Sequence, residues 1–209
     1  MNPFDPTSIA LFIESHAGYV ALLLFLLLFF EALMGVGYFL PAATVLLSAG
    51  ALIGSGVAAP IPAFAGAFAG AILGGEANYR LGLHFSQRLP DTWPFSRYPI
   101  LLHRSQAFIE RHGGKSILLG RFSKPLRPTV PAVAGMLEMP IARFRGFNAA
   151  AGVLWTLMWL GGGALMTATS GFNAEQAVKI SGGLLLVSII VAVGAISMER
   201  WRRQRGTGD

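Results

Sequence analysis

The sequence predicts an all-α integral membrane protein, with about four spanning helices and two opposed re-entrant hairpins forming an inverted repeat, in one domain over residues 1–209. Three observations carry this reading. Charged residues make up only 12% of the chain and apolar residues 54%. A soluble domain is usually about 25% charged, so there is too little charge here to cover a water-facing surface. Long stretches hold no Asp, Glu, Lys or Arg, namely 15–30, 32–75, 146–174 and 180–198. Two apolar stretches are broken by Pro and Gly, and irregular backbone at membrane depth survives only where protein or a wet cavity satisfies it. The same composition excludes disorder, which needs low hydrophobicity and high charge.

Residues 17–34 (AGYVALLLFLLLFFEALM) form the first span, because about 20 apolar residues cross a bilayer as a helix. They resemble a secretory h-region, but only Asp5 and Glu14 are charged before them and no small-residue cleavage site follows. The segment therefore reads as retained. Residues 35–56 are apolar but interrupted by Gly35, Gly37, Pro41, Gly50, Gly54 and Gly56. They read as a re-entrant hairpin, with Pro41 and Gly50 at its turns. Residues 60–83 form the next span. Gly66, Gly70 and Gly74 recur every four residues along one face, a spacing that lets backbones approach closely, within one chain or between two copies of a homo-oligomer.

Residues 84–114 change character, with Arg88, Arg97, Arg104 and Arg111 spread among Pro90, Pro94 and Pro99. They read as a cytoplasmic loop with an amphipathic helix near 100–112, and Trp93 and Tyr98 suit a membrane interface. In residues 115–139, Pro125, Pro128 and Pro131 sit three apart, which rules out a continuous helix. This is the second re-entrant hairpin, with Pro125, Pro131 and Gly135 at its turns. Spans at 146–168 and 178–199 follow, and a basic tail at 200–209 (Arg200, Arg202, Arg203, Arg205) closes the chain.

The two broken segments align without a gap. Thr44, Val45, Ala49 and Gly50 match Thr129, Val130, Ala134 and Gly135, and paired broken segments in two halves point to a transporter site. Six Lys and Arg lie between Arg80 and Lys115, with Arg143, Arg145 and the tail beyond, whereas 34–58 has none. The positive-inside rule then places the middle loop and both termini in the cytoplasm.

Glu31 stands alone between uncharged runs near the end of a span. An acid at the bilayer centre costs roughly 2.5–3.5 kcal/mol on insertion scales, so it faces a cavity or a partner, or it is protonated. Glu76 has Arg80 four residues on, and reads either as a helical ion pair at the inner interface or as a second buried acid. Arg121 and Arg127 fall in the second broken segment. They either pair with these acids to hold the hairpins or bind the phosphate of a lipid, whose geometry the guanidinium fork matches. Lys124 reads as a snorkelling interfacial charge. Trp155 and Trp159 read as core packing.

His16, His84, His103 and His112 show no metal-ligand spacing and the chain has no Cys, so neither a metal nor another cofactor is expected. The sequence pI of about 10.3 reads as attraction to a membrane surface rather than to nucleic acid.

At residues 120–144, GRFSKPLRPTVPAVAGMLEMPIARF resembles the signature of the DedA family, also called the VTT or SNARE-associated membrane domain. Gly120, Arg121, Phe122, Pro125, Arg127, Pro131, Ala134, Gly135, Met139 and Phe144 fit its pattern, with Pro125 and Arg127 one residue closer together than usual. GGEANYRLG (74–82) is similar to a second family motif, in which Asp commonly stands at the place of Glu76. FFEALMGVGYFLPAATVLLSAG (29–50) resembles the family's first hairpin, although Ala43 stands where an acid is common.

The resemblance implies two opposed hairpins in a bacterial inner-membrane protein. It also implies lipid translocation of flippase or scramblase type, moving phospholipids or polyprenyl (undecaprenyl) phosphate, with coupling to protons. By position, Glu31 and Glu76 match the family's acids, and Arg121 and Arg127 its two arginines. The expectation is a carrier of an anionic lipid and not an enzyme. Arg121 and Arg127 would contact the phosphate, with Glu31 and Glu76 as proton-coupling or charge partners. Two other classes remain beside it. One is a scaffold whose buried charges are structural. The other is a lipid phosphatase, which needs a Ser-Gly-His segment that the chain does not contain.

Overall fold

The computed structural model describes residues 15–34, 37, 40–123 and 126–170, with isolated positions at 11, 13, 176, 179, 183, 186, 187 and 190. Lys124, Pro125, the tail at 200–209 and most of the predicted span 178–199 lie outside the described residues. Every regular element within them is helical. In chain order these are α1 (Ala17–Ala32), α2 (Ala42–Gly54), α3 (Pro60–His84), a 3₁₀ turn (Leu89–Asp91), α4 (Pro99–His112), α5 (Lys115–Gly120), α6 (Thr129–Met136), α7 (Ile141–Thr156), a π-turn (Leu157–Gly161) and α8 (Gly162–Ser170). They fall into two compact units. One comprises Gly18–Tyr38 and Ile61–Met158, the other Met1–Ala17, Phe39–Pro60 and Trp159–Asp209.

In the larger unit, α1 is apolar all the way round. It buries Leu24 and Leu28 yet exposes Leu22, Leu23, Leu26 and Phe30, a pattern that suits lipid and not water. α3 lies against α1 along the glycine line. A Cβ on Gly66 or Gly70 would run into the backbone carbonyl of Ala21 or Phe25, and one on Gly74 would sit 2.6 Å from the Ala32 Cβ. The glycine face is thus occupied by a helix of the same chain. Gly70→Leu is expected to destabilise the protein by about 3 kcal/mol, since overpacking must push two backbones apart. Gly146→Ala, in a helix with nothing within 4 Å of the new methyl, should instead stabilise by roughly 0.5–1 kcal/mol. Thermal unfolding in detergent checks both signs.

The core of this unit gathers Tyr79 from α3, Leu102 and Ile109 from α4, Ile117 from α5, Val130 and Val133 from α6, and Phe144 from α7. α4 matches the amphipathic helix expected at 100–112, burying Leu102, Ser105 and Ile109 while leaving Arg104 and Arg111 exposed. The second broken segment contains α5 and α6, and the described residues between them, 121–123 and 126–128, are non-helical. Two glycine and proline assignments change here. Pro131 sits in the first turn of α6, where a helix has no use for its N–H. Gly135 lies inside α6 and not at a turn. A Cβ there would meet the Tyr79 carbonyl. The turn comes later, at Glu138, which adopts a left-handed φ of 52°. Glu138 N–H donates to Gly135 O at 3.0 Å and Met139 N–H to Ala134 O at 3.0 Å, a Schellman-type ending.

The predicted span 146–168 begins earlier than expected, directly after Pro140. α7, the π-turn and α8 run on as one helix, Ile141–Ser170, of 30 residues with mean hydropathy 1.5 over its most apolar window. It is long and apolar enough to cross a bilayer.

In the smaller unit, α2 and α8 pack through a second set of glycines. A Cβ on Gly50 would meet Leu160 O, one on Gly54 would meet Ala164 O, and one on Gly163 would meet Leu47 O. The stretch expected to be broken throughout 35–56 is continuous helix from Ala42 onward. Pro41 stands at its N-cap. Gly50 is no turn but a contact point inside α2, because a helical glycine keeps its backbone hydrogen bond while admitting a neighbouring backbone.

Candidate functional site

The site lies in the larger unit, where the end of α1, residues 121–123 and 126–128, α3 and α7 come together. Glu31, in the last turn of α1, is 3% exposed. Arg127 Nη1 donates to its Oε1 in an ion pair spanning 96 residues of sequence. The Arg127 guanidinium also lies over the Trp155 ring of α7, with Cζ 3.8 Å from the centroid. This is a cation–π contact, which gains strength where water is excluded. Phe122 meets the same indole edge-on, with ring centroids 5.7 Å apart. Arg127 is therefore held by charge on one group and by an aromatic face on another.

Arg121, at the C-cap of α5, is 9% exposed. Its Nη1 donates to Asn148 Oδ1 at 3.2 Å, and Asn148 Nδ2 donates to Ile72 O at 3.0 Å. Gly75 makes room for this carboxamide, since a Cβ there would lie 2.7 Å from Asn148 Oδ1. Of the two guanidinium groups, the part-buried one of Arg127 pairs with the carboxylate, and the buried one of Arg121 reaches the carboxamide. Arg121 Nε and Arg127 Nη2 are buried and find no hydrogen-bond acceptor among the described residues.

Glu76 is not brought to this cluster. It takes Arg145 Nη2 at 2.7 Å and Arg80 Nη2 at 3.0 Å, with both arginines more than half exposed. Of the two readings of Glu76 open in the sequence, this geometry is the ion pair four residues along a helix. Arg145 is added as a second partner that joins α3 to α7.

Of the predicted site residues, Glu31 and Arg127 meet, while Arg121 contacts Asn148. Missed in the sequence were Asn78, Asn148 and the Trp155 contact. Asn78 is fully buried in α3. Its Nδ2 donates to Ala32 O at 2.6 Å and to Pro128 O at 3.1 Å, and its Oδ1 accepts from Met34 N–H at 2.9 Å. The available signal was polarity without charge, a carboxamide in an apolar helix that needs internal partners. No group of three or more His, Cys, Asp or Glu side chains gathers among the described residues to hold a metal.

Comparison with known proteins bears on the same region. Residues 40–165 match the family model of the VTT domain. The chain is 32% identical to the inner membrane protein YabI of Escherichia coli (strain K12) over 199 residues, covering 94% of this chain and 78% of YabI. It is 32% identical to protein DedA of the same strain over 204 residues, covering 91% of this chain and 87% of DedA. It is also 29% identical, over 195 residues, to the uncharacterized membrane protein BU139 of Buchnera aphidicola subsp. Acyrthosiphon pisum (strain APS), covering 93% of this chain and 76% of that protein. No solved structure matches.

Proposed function

The chain belongs to the VTT-domain, or DedA, family of membrane proteins, and on that premise we propose that it is a carrier moving a phosphate-headed lipid across the bacterial inner membrane. The observation that carries this reading is the unbalanced cluster. Glu31 is paired with Arg127 alone, Arg121 reaches only a neutral carboxamide, and Arg121 Nε and Arg127 Nη2 find no acceptor among the described residues. Buried donors without acceptors are costly, and more so on a charged group. A phosphate offers several acceptor oxygens in the geometry a guanidinium fork matches. Glu31 then serves as the counter-charge of the empty state, releasing Arg127 when the lipid enters.

The charge count limits the substrate. Among the described residues, two arginines and one ionised glutamate leave +1, which a monoanionic phosphodiester neutralises. A dianionic monoester such as polyprenyl phosphate reaches neutrality only if Glu31 takes up a proton. Proton coupling therefore enters through Glu31, and Glu76, in its clamp with Arg80 and Arg145, stands outside it. Four spans, two re-entrant hairpins and cytoplasmic termini belong to the same proposal, on the distribution of arginines. The relatives named as inner membrane proteins support the location.

The test is translocation in proteoliposomes, with polyprenyl phosphate and phospholipids as separate substrates at two values of the pH gradient. Wild type should move at least one of these classes, and only the monoester should respond to the gradient. Glu31→Gln, checked for monodispersity, should move neither. If wild type moves no lipid class, the carrier reading fails and a scaffold with structural charges takes its place.

A further inference from the structure

We propose that Asn78 is the positioning residue of the Glu31–Arg127 pair. Its single carboxamide grips the carbonyl of the residue after the acid, Ala32, and the carbonyl of the residue after the base, Pro128. These contacts reach 46 and 50 residues along the sequence, so local structure supplies neither. Both acceptors bond to one nitrogen, which brings the two carbonyl oxygens within about 5 Å of each other by ordinary hydrogen-bond geometry.

Fixing those two peptide groups fixes where Glu31 and Arg127 point. Met34 N–H, donated to Oδ1, pins the chain on the far side of Ala32 as well. Both of the carboxamide's N–H groups are thus committed, along with one lone pair of its oxygen. Ala32 O belongs to the last turn of α1, where carbonyls lack intrahelical partners, and Pro128 O is the N-cap carbonyl of α6, on which Asn78 is an additional donor. A residue that served only to satisfy these carbonyls would need no particular relation to the ion pair. Here both accepting residues stand directly after its two members.

The importance of Asn78 for transport rests on the carrier reading, whereas its coupling to the ion pair does not. A double-mutant cycle on the full chain in detergent separates them. Apparent melting temperature is compared for wild type, Asn78→Leu, Glu31→Gln and the double variant. If Asn78 aligns the pair, Asn78→Leu should cost about half as much or less once Glu31→Gln has removed the pair. Tyr79→Phe, which loses the hydrogen bond to Met139 O, should show the same shift in both backgrounds. Equal shifts for Asn78→Leu in both backgrounds overturn the proposal and leave Asn78 as a plain cap.

Where Asn78→Leu is not monodisperse, Asn78→Asp replaces it in the same cycle. It keeps the acceptor for Met34 and loses both donations. A second arm reads transport. Asn78→Leu should lower it about tenfold or more, while Tyr79→Phe leaves it within about twofold. Wild type that moves no lipid sinks the carrier reading, and the melting cycle still decides the role of Asn78.

Discussion

Arg127→Ala should lower stability by about 3–5 kcal/mol and abolish transport. The stability loss comes from what is left behind. Glu31 is 3% exposed, and removing its partner leaves a carboxylate charge in an apolar site, or forces a proton onto it. The Trp155 face is emptied as well. The check is a comparison with Glu31→Gln/Arg127→Gln. Removing both members of a buried pair is far milder than removing one, because desolvation of both charges disappears along with their attraction. The double variant should regain most of the lost melting temperature and none of the transport. A double variant as unstable as Arg127→Ala would mean that the Trp155 contact, and not the carboxylate, dominates.

Arg121→Leu should behave in the opposite way in stability and the same way in function. Arg121 is buried, but its described hydrogen bond goes to a neutral carboxamide, with Nε unmatched among the described residues. Removing it strands no charge. The cost is about 1 kcal/mol for the lost bond to Asn148, against relief from burying a cation beside another cation. The melting temperature should therefore hold or rise, while transport falls about a hundredfold or more if the phosphate needs both forks. Arg121→Lys should restore only part, since an ammonium keeps the charge without the fork. Loss of folding in Arg121→Leu would assign that arginine to the framework.

The helix limits were largely legible in the sequence because charge punctuates an apolar chain. Glu31 marks the end of α1, the run to Gly75 frames α2 and most of α3, and the arginines among prolines mark the α4 region. The three prolines at 125, 128 and 131 announced the irregular stretch that carries Arg127. Glycine was ambiguous. A glycine that permits a turn and one that admits a neighbouring backbone are the same residue, so Gly50 and Gly135 looked like turns and are contact points. At the site, the charged residues were visible because charge in an apolar run is costly. Asn78 and Asn148 carry the same need for partners without a charge, and nothing in their spacing tells which carbonyls they reach. Trp155 had the spacing of a core residue, and its partner lies 28 positions away.

The glycines of α3 have a mechanical consequence. Gly66, Gly70 and Gly74 set its backbone against α1, while Gly75 receives Asn148 and Gly82 receives the Ala132 carbonyl. Contacts of backbone on backbone contain no rotamers to adjust. α3 can therefore neither roll nor slide without lifting off its neighbours. It is the stator of its unit, the fixed axis to which Asn78 is bolted. On the carrier reading, movement within this unit falls to groups joined to α3 by side chains, among them the Arg127 guanidinium.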